Sequence, residues 1–166
     1  MSKLIQIILL TIAFATTALA QEQPIPSTPL WTFSSPTYAY SGNLELQIKN
    51  KNNAGILHLY LTVSDSTFYI GGNVYLFLED GNVITCTDKN IRSVSGKIIQ
   101  SQYVITTGEI ALLKKQKLTD VRFKVIGNQT TFSSPTGYFT AHNKIRSFGL
   151  PDKTYDTVTD IKQLFP

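Results

Sequence analysis

The chain has 166 residues, with 15 basic and 11 acidic side chains, a formal net charge of +4 and one cysteine. That length accommodates a single domain with its own core. The mild charge is scattered, without the dense basic stripe or reader motif of a nucleic-acid-binding protein, and one cysteine excludes an intrachain disulfide.

Lys3 precedes an apolar run from Leu4 to Ala15 that only Gln6 and Thr11 interrupt, and Ala18-Leu19-Ala20 then offers the small residues a signal peptidase reads. This pattern predicts a secretory signal peptide over 1–20 and one β-rich domain over 21–166. The run is shorter than the roughly 20 apolar residues that span a bilayer, so no stable membrane span is expected after the signal is removed. Of the charged residues only Lys3 lies in that segment, which leaves 14 basic against 11 acidic residues, or +3. The expected location is outside the cytoplasm, in a periplasm or the extracellular space. A lone cysteine in an exported chain favours a Gram-negative periplasmic or outer-surface protein.

Pro24, Pro26, Pro29 and Pro36 break any ladder between Gln21 and Pro36, so this stretch reads as an extended lead-in pinned by Trp31 and Phe33. Leu44, Leu46 and Ile48 alternate with Glu45, Gln47 and Lys49 as a half-buried strand does, and a polar loop follows from Asn50 to Gly55. Leu57, Leu59, Leu61 and Val63 then form an inward face, with His58, Tyr60 and Thr62 opposite. Asp65 and Ser66 turn the chain toward Phe68-Tyr69-Ile70, and Gly71-Gly72 permits a sharp bend.

The stretch from Gly71 to Thr87 is a β-hairpin about Asp80-Gly81, and the rest of the chain covers or extends it. A two-residue type I′ loop would oppose Phe77 to Ile84. A type I turn with Gly81 as a left-handed bulge opposes Leu78 to Asn82 and Leu76 to Ile84. The second register is preferred, because it gathers Val74, Leu76, Ile84 and Cys86 on one aliphatic face and leaves Tyr75, Phe77, Val83 and Thr85 on the other. Both faces are then apolar, which predicts a central position for the hairpin. Cys86 is expected to be a buried, inert thiol.

Asp88 to Arg92 reads as a polar connection, Ser95-Gly96 as a break and Ile98 to Ile105 as a strand. Thr106 and Glu109 have capping-box spacing ahead of Ile110 and Leu113, which predicts one short helix over Thr107 to Gln116 with lysines near its C-terminal end. Thr119 to Ile126 alternates as a strand, Gly127-Asn128 turns it, Thr130 to Phe132 is expected to pair back, and Gly137 to Ala141 to add a short strand. In the tail, Tyr155, Val158, Ile161 and Phe165 recur at helical spacing, with Thr157 and Asp160 as a capping box. The fold class is therefore mainly β, an antiparallel β-sandwich or strongly bent sheet of seven or eight strands, with one short α-helix between strands and a short C-terminal helix.

The run Gly72-Asn73-Val74-Tyr75-Leu76-Phe77-Leu78-Glu79-Asp80-Gly81, then Tyr103-Val104-Ile105-Thr106 into a short Leu/Lys helix, then Val121-Arg122-Phe123, resembles a layout found in small uncharacterised exported β-rich proteins of Gram-negative bacteria. The resemblance spans Gly71 to Val125. It implies a β-rich fold and export, and it brings no activity with it.

The chemistry-bearing residues form no catalytic set. His58 and His142 lie on different elements without further ligands at metal-binding spacing, and no nucleophile elbow or phosphate-cradling loop is present. No cofactor is expected. Asp120 and Arg122 project from one side of a strand as an exposed ion pair. The hexapeptide Thr32-Phe33-Ser34-Ser35-Pro36-Thr37 recurs identically at 131–136, with Tyr38 and Tyr138 shortly after each copy. Trp31, Tyr38, Tyr40, Phe132 and Tyr138 are the candidate binding residues, aromatic loops that could stack on sugar rings or anchor a partner. The first functional expectation is an exported, non-enzymatic interaction module engaging a protein or envelope component. The second is carbohydrate or envelope-glycan binding through those loops. A hydrolase stands third and requires a cleft with two titratable groups in hydrogen-bond reach.

Overall fold

Ten strands form among the residues described by a computed structural model, which are 24–38, 41–128, 136–145 and 152–166. In chain order they are β1 (Trp31–Ser34), β2 (Asn43–Lys51), β3 (Ala54–Thr62), β4 (Tyr69–Ile70), β5 (Val74–Leu78), β6 (Val83–Cys86), β7 (Ile91–Ser95), β8 (Ile98–Ile105), β9 (Leu118–Ile126) and β10 (Gly137–His142). Helix α1 (Thr107–Leu113) joins β8 to β9, and α2 (Thr157–Leu164) lies near the C-terminus. The expected signal peptide, and the expected return strand at Thr130 to Phe132, lie outside the described residues.

All strands belong to one antiparallel sheet in the order β6-β5-β9-β10-β1-β2-β3-β8-β7, with β4 also paired to β9. The sheet curls strongly into a half-barrel, so the bent-sheet form of the expected fold is the one observed, with two more strands than foreseen. Its inward rows are Leu44, Leu46 and Ile48 of β2, Leu57, Leu59 and Leu61 of β3, and Val121, Phe123 and Val125 of β9, all buried. Among the described residues no helix is long and apolar enough to cross a membrane.

The hairpin adopts the bulged register. Leu76 pairs with Ile84 and Val74 with Cys86, Gly81 has φ +87°, and the Leu78 amide donates to the Asn82 carbonyl at 2.9 Å. Its expected central position is corrected, because β6 is an edge strand and Val83 and Thr85 face solvent. Tyr75 and Phe77 are half-buried and pair across to Arg122 and Asp120 on β9, so neighbouring side chains, rather than a second layer, provide their cover.

Two further strands were not foreseen. β7 runs through the expected polar connection; as an edge strand it buries none of its five residues, so it carries no apolar alternation to read. β1 emerges from the proline-rich lead-in and pairs with β2 and β10.

The curl brings the two ends of the sheet together, and side chains close the seam where no backbone ladder does. Arg92 donates from Nε to the Ile70 carbonyl at 2.8 Å and pairs with Asp88. Asp88 accepts the Gly72 amide at 2.7 Å, and the Tyr103 hydroxyl donates to the Gly72 carbonyl at 3.3 Å. Burial pushes the Tyr103 hydroxyl up to about 12, so it keeps the proton it donates.

The two helices dock at the far end of β2 and β3. The predicted capping box is present: Glu109 accepts the Thr106 amide at 2.7 Å and the Thr106 hydroxyl accepts the Glu109 amide at 3.3 Å. Gly55 lets α1 approach, since a Cβ there would stand 2.9 Å from Ile110 Cδ1 and 3.1 Å from Ile105 Cβ. On α2 the cap is Asp156 rather than Thr157. Thr157 turns inward instead, and its hydroxyl accepts the Leu118 amide at 3.0 Å.

Candidate functional site

The outward rows of β9 and β10 bring charged and aromatic side chains together. Alternation that sends Val121, Phe123 and Val125 into the core sends Asp120, Arg122 and Lys124 out. Register sets Tyr138 opposite Lys124, Thr140 opposite Arg122 and His142 opposite Asp120. Tyr138 is 57% exposed. The Arg122 guanidinium carbon lies 5.0 Å from its ring centroid and Lys124 Nζ 5.4 Å, within the range of cation–aromatic attraction. Among the described residues neither cation has a carboxylate within ion-pair distance.

Below this row lies a cleft of about 260 Å³, lined by Glu79, Lys117, Thr119, Asp120, His142 and Lys144 among others. His142 Nδ1 pairs with Asp120, Lys117 Nζ donates to the Thr154 hydroxyl at 2.5 Å, and Lys144 Nζ stands 3.8 Å from Asp152. A carboxylate at Nδ1 orients the imidazole. Among the described residues no hydroxyl or thiol is hydrogen-bonded to His142. The expected Asp120–Arg122 ion pair is corrected: Asp120 turns to His142 and Arg122 to Tyr138.

The other histidine is a brace. His58 is 7% exposed, stacks on Tyr60 with centroids 6.1 Å apart, and accepts at Nδ1 from the Gln100 amide at 2.6 Å. Burial, with a smaller contribution from the Lys49 charge, lowers it to about 4, so it is neutral. Cys86 is a buried free thiol pushed up to about 12 by burial, with the Glu109 charge adding to the effect.

The candidate aromatics separate sharply. Trp31 is fully buried in β1, its indole N–H donating to Asp160 Oδ2 at 2.8 Å. Tyr38 is also buried, edge-on to Phe139 at 5.0 Å with its hydroxyl donating to the Thr62 carbonyl at 3.1 Å. Both are core residues, and neither ring face is open to a ligand. Tyr40, Phe132 and most of the second hexapeptide lie outside the described residues. Tyr138 alone of the five is described as exposed.

Missed in the sequence were the His142–Asp120 pair and the two cations beside Tyr138. The i, i+2 spacing of Asp120, Arg122 and Lys124 was visible, but their partners depend on the β9–β10 register across residues 127–136. Among the described residues no group of three metal-ligating side chains comes together. No protein-family profile, curated protein or solved structure matches the chain.

Proposed function

We propose that the protein is an exported, non-enzymatic binding module whose recognition face is the outer surface of β9 and β10, engaging a protein or an envelope component. The observation that carries this is Tyr138: a large, exposed, amphipathic ring on a strand, with two cations packed on it. An aromatic anchor with only two side-chain torsions loses little conformational entropy on binding, which suits it to recognition. The apolar run behind Lys3 supports export.

Sedimentation of the processed chain with isolated cell envelopes tests the reading. Binding lost in Tyr138→Ala and retained in Thr62→Ala, an exposed residue of β3, supports it; equal binding by both variants removes the face from consideration. A hydrolase is the second reading, favoured by the His142–Asp120 pair in its cleft. It predicts turnover that His142→Gln abolishes and Tyr138→Ala spares.

A further inference from the structure

We infer that the ligand of this face is an acidic polysaccharide, a chain of sugar rings bearing carboxylate or phosphate groups, which stacks one ring on Tyr138 and sets its anionic groups against Arg122 and Lys124. The inference rests on the reading of β9–β10 as the recognition face and names the chemistry that face would select.

The ring itself is the first ground. The apolar face of a sugar matches the face of an exposed tyrosine, and among the described residues only β9 is paired beside Tyr138, since β10 meets β1 through the single pair Ser34 and His142. The second is charge. Among the described residues Arg122 and Lys124 have no carboxylate within ion-pair distance, so two positive charges stand beside the ring, and a neutral glycan would leave them unused. The third is extent. From Tyr138 to His142, where β10 ends, the strand runs on the order of 13 Å at the usual rise per residue, the reach of two or three sugars, and beyond it lies the cleft lined by Lys117 and Lys144.

Other occupants fit less well. A protein partner wants a desolvated apolar centre, whereas Tyr75 and Phe77 on the adjoining strand are half-buried and the outward positions around Tyr138 are Arg122, Lys124, Asp120, Thr140 and His142. Single-stranded nucleic acid wants successive stacking platforms and an unbroken basic groove, whereas Tyr138 is the one exposed ring on β9 and β10 and Asp120 and Glu79 line the adjoining cleft.

Titration calorimetry of the processed chain with polygalacturonate fragments, a phosphate-substituted mannan, neutral dextran and oligo(dT) tests the inference. Heat of binding is expected with the carboxylated polymer, the phosphorylated polymer or both, and not with dextran. Tyr138→Ala and the pair Arg122→Gln/Lys124→Gln are each expected to weaken binding by about tenfold or more. Lys89→Gln/Lys97→Gln removes the same charge from exposed positions around β7 and is expected to bind as wild type. Coincident thermal unfolding of all variants confirms that they remain folded. Equal binding to dextran, tighter binding to oligo(dT), or an equal loss in the Lys89/Lys97 variant overturns the inference. If no polysaccharide binds while envelopes still depend on Tyr138, the acidic glycan is wrong and the face stands; if envelopes bind Tyr138→Ala as wild type, the face is wrong too.

Discussion

On β3 the outward-facing pair is His58 and Tyr60; on β10 it is Tyr138 and His142. The first pair sits between two long partners, with Gln47 and Gln102 across from His58 and Glu45 and Gln100 across from Tyr60. Its histidine is enclosed and takes a neutral amide as partner. The second pair lies on a strand that meets β1 through one residue pair, so its tyrosine is exposed and its histidine takes a carboxylate. The same residue types become a brace in one place and a display in the other. What differs is the length of strand beside them, since β1 pairs with β10 at His142 alone while both neighbours of β3 run past His58 and Tyr60, and each flanking strand removes water and with it the favourable solvation of charge.

The largest expected effect is the pH dependence of stability that His58 confers. His58 is lowered to about 4 in the folded protein, while an unfolded histidine titrates near 6.5, so between these values the unfolded chain binds the extra proton. Stability therefore falls as pH drops from about 6.5 to 4 and gains no further loss from this group below that, the full span being about 3 kcal/mol. Urea unfolding across the window measures it, and His58→Gln should flatten the slope. Asp65 and Asp156 are held below the ordinary carboxylate range, Asp65 by the Thr67 amide and hydroxyl, Asp156 by the Thr159 hydroxyl and amide. Their stabilisation is lost only at lower pH, so it does not obscure the histidine window. A slope unchanged in His58→Gln would break the comparison.

Alanine at each histidine comes next. His58→Ala removes the Tyr60 stack and orphans the Gln100 amide, a loss of about 2 kcal/mol. His142→Ala, at a half-exposed pair, should cost less than about 1 kcal/mol. Equal losses in chemical denaturation would mean that the β10 pair is structural.

The seam between the two halves comes third. Arg92→Gln removes both the bond to the Ile70 carbonyl and the pairing with Asp88, at about 1–2 kcal/mol for partly buried charged contacts. Amide exchange should accelerate at Gly72 and remain slow in β9 and β10. Uniform acceleration would show that the seam holds the whole sheet.

Local chemistry was legible in the sequence and distant pairing was not. The register about Asp80-Gly81 and the Thr106–Glu109 cap depend on residues within a few positions of each other, and both were read correctly. β7 escaped because an edge strand needs no buried face, and Trp31 passed for a loop aromatic because its prolines are local while its partners Leu46 and Asp160 are far along the chain. The site suffered most from this. Tyr138, Arg122 and Lys124 were each visible, but they become one feature only through a register that spans the β9–β10 connection.

The smallest expected change is the most pointed one. Asp120 is the sole carboxylate on the outward rows of β9 and β10, and it stands one row from Arg122. In the fold it contributes little, as half of an exposed pair, so Asp120→Asn should alter unfolding free energy by less than about 0.5 kcal/mol. Toward an acidic polysaccharide, however, it is a repulsive charge, and its removal should tighten binding by about two- to threefold at low ionic strength, with the gain vanishing as salt shortens the screening length. An increase in affinity that salt erases would mark the face as one selected for anions. A decrease would assign Asp120 to the ligand itself, as an acceptor for sugar hydroxyls or as the group that orients His142, and would move the centre of recognition from Tyr138 down into the cleft.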